Sequence, residues 1–308
     1  MSKSLTAVMY PLVGAVAGAD QIIGAGRVWH QSSPTEEKQA AFLQIFAELR
    51  HEASTIPEMV TKASLNIEEL NALLRSRGFS IQLQPPTDPR GFGVVSILDL
   101  LLEWLEVGTN VEITAENGQK YAGVRLSGSG VKFGSIHNFP SPVVQLATKT
   151  DDLVYLTLDP FIGMTYGDGH DDFLLYITSD LMTMGRFTEG RCLDQNFGGV
   201  RFPKVLIDQQ PDISWLVGLQ TTGQDGHPYE IDQAIQQTKI GLNEKGAKAK
   251  SAAAIVVECS MMVQPSSPDY VIDRPFVLMF KRPGLASTLA VAHVGYDDWR
   301  DPGDLAAL

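Results

Sequence analysis

The stretch from residue 237 to residue 280 constrains this chain most, because it places a run of small residues between two strand-like segments. The first segment is residues 238–242 and the second is residues 275–280, which a polar, proline-bearing loop precedes. Small side chains recur at every second position: Ala247, Ala249, Ser251 and Ala253. Lys248 and Lys250 fall on the opposite face of a strand, so the run could enter a narrow gap in a sheet without burying a charge. Composition alone allows a short helix equally well, since alanine favours helices.

This stretch resembles the hinge and reactive-centre loop of the serpin family. In that family a strand ends in Asn-Glu-Glu-Gly, and small residues, an exposed loop and a strand opening with Pro-Phe follow. The matching residues here are Asn243, Glu244, Gly246 and Ala249, together with Arg274, Pro275 and Phe276. Earlier parts are similar too: paired central strands at 143–160, the Leu-Pro-Lys-Phe strand at 202–205, a short helix at 212–219 and a last buried strand at 285–294. The resemblance covers residues 143–294 and is most specific after Phe202.

The resemblance implies an inhibitor of a serine or cysteine protease rather than an enzyme. In the family, the protease attacks one bond in the loop and forms an acyl-enzyme. The cut loop then inserts into a sheet as a new strand and carries the protease away before deacylation. By the same resemblance, the hinge comprises Gly246, Ala247, Ala249, Ser251 and Ala253.

The family pattern places the attacked bond after Ser260, within a window of five residues. The window consists of Glu258, Cys259, Ser260, Met261 and Met262. A methionine before the bond would suit elastase-like or chymotrypsin-like enzymes, whereas Glu258 would suit a glutamate-specific one. The sequence leaves this choice open.

A second interpretation is a serpin-fold protein that does not inhibit and serves as a binding or structural assembly component. At 308 residues the chain is short for the family, so its N-terminal half must be trimmed. The last strand reads Ala292-His293-Val294 where the family has Gly-Arg-Val. Such a protein could form homo-oligomers or assemblies by exchanging a loop or a strand.

Composition narrows the range of partners and compartments. Apolar residues make up 44% of the chain, enough for a sizeable core, and the net charge of −12 argues against nucleic acid as a partner. Two cysteines, Cys192 and Cys259, do not make a disulfide framework, and a free thiol suits a reducing compartment. The apolar residues 5–19 weakly resemble a signal peptide, but Pro11 interrupts them and they are too short to span a bilayer. We therefore expect a buried helix there, no membrane span, and a cytoplasmic rather than a secreted protein.

The order of elements predicts an α+β fold, with N-terminal helices packed on large mixed or antiparallel β-sheets and an exposed reactive-centre-type loop. We expect one domain over residues 1–308, helix-rich over 1–108, sheet-rich over 109–308, with the loop at 246–274. Specific predictions are a helix opened by the capping box 33–36, a helix from Asn66 to a stop at Gly78, a helix over 97–107, and a two-residue hairpin turn at Asn117-Gly118.

Residues 167–172 carry the strongest cluster of potential metal ligands. The candidates are Asp168, His170, Asp171 and Asp172. Their spacing lacks the spaced acceptors and distal glutamate of a calcium loop, so we expect a solvated turn and no metal. No phosphate-binding loop or catalytic constellation occurs elsewhere, so we predict no cofactor and no enzymatic activity.

Overall fold

The computed structural model describes residues 3–33, 35–136, 139, 141–158, 187–190, 196–248 and 267–308. Its helices are α1 (Met9–Gly18), α2 (Asp20–Ile23), α3 (Glu37–Ala53) and α4 (Ile67–Ser76), with 3-10 turns at Ser214–Leu216, Tyr296–Asp298 and Leu305–Ala307. Within this part of the chain, no helix has the length and apolarity needed to cross a membrane.

The N-terminal helices follow the apolar spacing of the sequence. The predicted buried helix is confirmed as α1, where Tyr10 and Val13 are fully buried. Helix α3 buries one face against the core, with Phe42 and Leu49 fully buried. The predicted start of α4 is also confirmed, because the Asn66 side chain accepts hydrogen bonds from the backbone N–H groups of the first turn.

One predicted helix is present but begins later than predicted, and another is absent. Helix α3 begins at Glu37, after the predicted capping box, and no side chain caps it. Residues 97–107 form no helix, because Gly93–Leu98 and Leu101–Glu103 are strands. In the first of these strands burial alternates along the chain, and the Ser96 hydroxyl lies 2.8 Å from the hydroxyl of Thr61 on a neighbouring strand.

The strands of the described residues number nineteen. They are β1 (Leu5–Ala7), β2 (Met59–Ser64), β3 (Gly93–Leu98), β4 (Leu101–Glu103), β5 (Thr109–Thr114), β6 (Lys120–Leu126), β7 (Val131–Ser135), β8 (Val143–Ala147), β9 (Leu153–Leu158), β10 (Thr188–Glu189), β11 (Gly199–Pro203), β12 (Val205–Gln209), β13 (Gln220–Thr222), β14 (Pro228–Glu230), β15 (Thr238–Leu242), β16 (Gly246–Lys248), β17 (Asp269–Val271), β18 (Phe276–Lys281) and β19 (Ala290–Val294).

These strands form three larger sheets and two small ones. A seven-stranded sheet has the order β1-β19-β18-β9-β8-β7-β10. A second sheet, here called the hinge sheet, has the order β12-β15-β16-β4, and a third has the order β17-β11-β6-β5. Strands β2 and β3 pair with each other, as do β13 and β14. Strands β18 and β19 are apolar and buried on both faces, as central strands of a covered sheet must be.

The hairpin between β5 and β6 is confirmed, but its turn has three residues rather than two. The backbone N–H of Ala115 donates to the carbonyl of Gln119, and that of Gly118 donates back to Ala115. Gly118 adopts a φ of 80°, which an L side chain rarely takes. The pattern is that of a type I turn followed by a left-handed glycine.

The predicted helix at 212–219 is present only as the 3-10 turn Ser214–Leu216.

An ion triad ties the end of β18 to the rest of the core. The guanidinium of Arg282 donates two hydrogen bonds of 2.7 Å to the carboxylate of Asp152 and two of 2.8 and 2.9 Å to that of Glu58. The Asp152 side chain is only 3% exposed. These hydrogen bonds raise the pKa of Arg282, and the two that Glu58 accepts lower the pKa of Glu58.

We expect Arg282→Met to lower the free energy of unfolding by about 3 kcal/mol, because it leaves the Asp152 carboxylate buried without its cation. The measurement is chemical denaturation at pH 7. Lys281→Met is the matched control, since it removes the same charge one residue earlier and should cost less than about 0.5 kcal/mol. Equal losses in the two variants would contradict a structural role for the triad.

Candidate functional site

The predicted hinge begins as a central strand. β16 pairs with β15 on one side, where Ala247 lies opposite Leu242. It pairs with β4 on the other side, where Ala247 lies opposite Leu102. Residues 246–248 are therefore held inside the hinge sheet, and the alternative of a helix at these three residues is excluded.

The first two residues of β16 must be small. A Cβ atom on Gly246 would lie 2.1 Å from the carbonyl oxygen of Leu102, so no side chain fits there. Ala247 is fully buried in the main core. Close packing thus explains why small residues occur here.

The prediction that the Lys248 side chain faces outward is wrong, because this residue is only 3% exposed. Its ammonium donates a hydrogen bond of 3.2 Å to the carbonyl oxygen of Leu308. The outer face of β16 is covered by the C-terminal segment, residues 295–308, which the alternating pattern could not reveal.

A tight turn at residues 243–245, here called the hinge turn, connects β15 to β16. The Asn243 side chain accepts hydrogen bonds from the N–H groups of Lys245 at 2.9 Å and Gly246 at 3.3 Å. The carbonyl oxygen of Asn243 accepts a 2.9 Å hydrogen bond from the indole of Trp104, which is 1% exposed. Trp104 follows directly after β4, so it links the turn to the strand on the far side of β16.

Lys204 provides the charge that holds this turn. It lies where the chain leaves β11 for β12, and its ammonium is 2.9 Å from the Glu244 carboxylate and 2.7 Å from that of Asp301. Burial raises the pKa of Glu244 and of Asp301, but the Lys204 ammonium and backbone hydrogen bonds together lower both, so each pKa lies below its usual value. Burial lowers the pKa of Lys204, yet its two carboxylate partners raise it above the usual value.

The C-terminal segment contacts the hinge turn and the end of β15 from outside. The Asn243 amide donates a 2.9 Å hydrogen bond to the carbonyl of Gly303. Leu305 and Leu308 pack against the backbone of Gly241, where a Cβ atom would come within 2.8 Å of both side chains. The indole of Trp299, a buried residue, meets the ring of Tyr121 edge-on at 5.0 Å, which fixes the start of the segment.

A cavity of about 610 Å³, here called the hinge cavity, lies beside β16. Strands β3 and β15 both line it, although they belong to different sheets and are not paired. Helix α1 and residues 79–92 contribute further walls, and Lys248 lines it at the end of β16. The lining residues from these elements include Leu12, Leu83, Ile97, Thr238, Ile240 and Lys248.

Most of the predicted reactive loop lies outside the described residues. This applies to hinge positions Ala249, Ser251 and Ala253 and to the whole window Glu258, Cys259, Ser260, Met261 and Met262. It also applies to Cys192 and to the acidic cluster Asp168, His170, Asp171 and Asp172. Among the residues that are described, no group of three or more His, Cys, Asp or Glu side chains could hold a metal ion.

Beyond the loop, the chain re-enters the third sheet as β17. This strand runs parallel to β11, and the buried carboxylate of Asp269 accepts hydrogen bonds from Arg125 at 2.8 Å and Arg201 at 2.7 Å. Residues 249–266 thus connect two strands in different sheets, and both of those strands are firmly anchored.

Comparison with solved structures identifies the architecture. Serpin48, a highly specific serpin of the insect Tenebrio molitor, matches with a TM-score of 0.52 at 13% identity, over 96% of this chain and 92% of that one. The mouse protein-Z-dependent protease inhibitor matches with a TM-score of 0.52 at 12% identity, over 96% and 91%. Thyroxine-binding globulin in complex with thyroxine matches with a TM-score of 0.50 at 12% identity, over 94% and 92%. The chain has the serpin fold.

At the level of sequence, no protein-family model and no curated protein matches the chain. The serpin fold confirms the predicted α+β class and extends the similarity through the N-terminal half, where the sequence offered little to align. The predicted strands around 143–160, 238–242, 275–280 and 285–294 are all present, as β8, β9, β15, β18 and β19.

Sequence reasoning missed two parts of this site. For Trp104 and Trp299 the sequence predicted only core or surface packing, although Trp104 directly follows β4, the strand that pairs with the hinge. The contacts of the C-terminal segment with the hinge were not predicted. A sequence feature that could have indicated its packing is the concentration of rigid or aromatic residues after the last strand: Tyr296, Trp299 and Pro302.

We expect Lys204→Met to lower the free energy of unfolding by about 2–3 kcal/mol at pH 7, because it leaves two partly buried carboxylates without their cation. Glu244 and Asp301 have lowered pKa values, so their contribution is present above about pH 4.5 and is lost as the pH falls through those values. The difference between the two proteins should therefore shrink between pH 5 and pH 2. Denaturation at several pH values tests this, with Lys245→Met, an exposed lysine of the same turn, as control. A difference that does not change with pH would refute the assignment.

Proposed function

We propose that this protein inhibits a serine or cysteine protease by inserting its cleaved loop into the hinge sheet, and that it is not an enzyme. One observation carries the proposal: β16 already lies between β15 and β4, and a cavity continues from its end between β15 and β3. The fold neighbour named as a protease inhibitor adds support, because it has the same architecture at 12% identity.

The register of β16 defines the path of insertion. Gly241 lies opposite Lys248, so one further residue of β16 would bring position 249 opposite Ile240. On the other side Lys248 lies opposite Leu101, so position 249 would come opposite Leu100. Ile240, Thr238 and Ile97 line the hinge cavity along this path. Ala249, Ser251 and Ala253 then share the phase of Ala247, whose side chain points into the core.

Insertion is energetically plausible because the incoming strand would pair on both sides. About ten backbone hydrogen bonds at about 1 kcal/mol each would contribute on the order of 10 kcal/mol, before any side-chain burial is added. The free energy of these hydrogen bonds is available only if the inward-facing residues are small, since the sheet must close around them without strain.

Cutting the loop once between Glu258 and Met262 should raise the melting temperature by about 15 °C, because the released segment can enter the sheet. The measurement is a thermal melt before and after the cut, with both fragments still associated. As control, a protease site placed in the exposed β5–β6 turn should produce no rise when cut. A melting temperature that stays the same or falls after the loop cut would rule out inhibition by insertion.

Ala249→Arg should abolish stable trapping of the protease, because insertion would bury an unpaired charge at a cost of several kcal/mol. Lys250→Arg replaces one cation by another on the opposite face of the incoming strand, so it adds no charge and serves as the control. The measurement is the yield of a complex between inhibitor and protease that survives denaturing electrophoresis. If both variants trap as well as the unaltered protein, the insertion path is wrong.

A second candidate function is a serpin-fold protein that binds or assembles without inhibiting. The observation that favours it is the C-terminal segment, which contacts β16 through Lys248 and holds the hinge turn through Asn243 directly and through Glu244 by way of Lys204. A fold neighbour, thyroxine-binding globulin, is named for a bound ligand. In this function the loop cut would leave the melting temperature unchanged.

A further inference from the structure

The hinge cavity has the size and the apolar walls of a ligand site. Its volume of about 610 Å³ falls within the range of roughly 300–1,000 Å³ that small-molecule pockets have. The buried residues of its wall are mostly aliphatic or aromatic and include Leu12, Val16, Ile97, Leu216, Ile240 and Phe280. A ligand here would therefore need a mainly apolar body.

The charged side chains of the wall balance each other. With histidine neutral, the described lining residues comprise four cations and four carboxylates: Arg77, Arg90, Lys239, Lys248, Asp88, Asp99, Glu230 and Asp232. The guanidinium of Arg77 lies 3.4 Å from the carboxylate of Asp99, and that of Arg90 lies 2.7 Å from its neighbour Asp88. Because these formal charges sum to zero, the wall offers an ionic ligand no net attraction to offset the free-energy cost of removing its charge from water. The wall therefore favours a neutral ligand.

Gln236 provides one polar point in this apolar wall. The residue is 8% exposed and lines the cavity, and its amide N–H donates a 3.0 Å hydrogen bond to the carbonyl of Val8, another lining residue. Its carbonyl oxygen Oε1 is buried and accepts no hydrogen bond from the described residues. A buried acceptor without a donor costs free energy, so a ligand that places an N–H or O–H group there would gain affinity.

We propose that the hinge cavity binds a neutral lipophilic molecule: an aromatic or aliphatic body without a charged group, carrying one N–H or O–H donor that bonds to Gln236. Binding depends on the cavity alone, so this inference goes beyond the proposed function. Only its consequence rests on that function, because a molecule in the cavity would occupy the path of the incoming strand and slow loop insertion.

The test uses N-phenyl-1-naphthylamine, a neutral aromatic amine with one N–H, whose fluorescence rises in apolar surroundings. The intact protein should bind one equivalent with a Kd of about 10 µM. The 8-sulfonate of this amine has the same rings and the same N–H but one negative charge, so it should bind about tenfold more weakly. No binding of the amine, or equally tight binding of the sulfonate, would overturn the proposal.

Two alanines of α1 test the location. Ala15 lines the cavity and Ala17 lies outside it, and both are half-buried on the same helix. Ala15→Phe should weaken binding of the amine about tenfold by filling the cavity, whereas Ala17→Phe, the matched control, should leave it unchanged. Thermal melts of both variants without the amine establish that each is folded. Equal affinities in two folded variants would refute the location.

Gln236→Leu tests the polar contact and decides the question if Ala15→Phe does not fold. It removes the buried acceptor, so binding of the amine should weaken about tenfold. The N-methyl derivative of the amine has no N–H and should bind the variant and the unaltered protein equally. If the substitution weakens both compounds alike, or neither, Gln236 does not accept a hydrogen bond from the ligand and the proposal fails.

A loop cut separates this inference from the proposed function. If the loop inserts, the cut protein should lose the amine site and melt at a higher temperature. If the proposed function fails, the cut protein should keep both its melting temperature and its binding of the amine, and the cavity site still stands. A cut protein that melts higher yet binds the amine as before would show that the amine lies elsewhere and would overturn the cavity proposal alone.

Discussion

The pairing of β16 on both sides determines what the rest of this molecule can do. A strand that is bonded to β15 and to β4 has no free edge, so its backbone groups are satisfied inside the sheet. Gly246 lies against the carbonyl of Leu102, and Ala247 is fully buried. These contacts mean that the loop leaves the protein from within the sheet rather than from its edge. A further residue of β16 would lie between Ile240 and Leu100, because Lys248 lies between Gly241 and Leu101.

The C-terminal segment and Lys204 fix the place where that extension would begin. Lys204 binds one carboxylate in the hinge turn and one in the segment, so the two structures are joined through a single nearly buried cation. The Lys248 ammonium adds a second contact to the segment at the last residue of β16. The last described residues of β16 are thus held in place, and the hinge cavity lies beside their end between β15 and β3. A sheet that accepts a strand in one direction needs a fixed starting point, here the hinge turn, and room for the strand to extend, here the hinge cavity.

Local rules predicted the elements whose determinants lie close together in the chain. Asn66 and Gly78 bracket α4 because a cap and a left-handed glycine act within a few residues. The helix predicted over 97–107 failed because its apolar spacing suited both a helix and a buried strand, and the pairing of β3 with β2 and of β4 with β16 joins distant parts of the chain. The burial of Lys248 and the role of Trp104 were beyond sequence reasoning for the same reason. Both depend on which distant strand or segment packs against these two residues.

Neutral hydrogen bonds close the hinge cavity at the end farther along the path. The Gln237 side chain accepts hydrogen bonds from the N–H of Ser80 at 2.8 Å, and Gln233 accepts one from Gln84 at 2.9 Å. These amides hold residues 80–84 beside residues 233–237, and both stretches contribute cavity walls. Hydrogen bonds of this kind contribute about 1 kcal/mol each, and water can replace them when they open. The amide end of the path is thus held by neutral hydrogen bonds, whereas the hinge turn is held by the Lys204 ammonium and two carboxylates, so the two ends depend on different kinds of interaction.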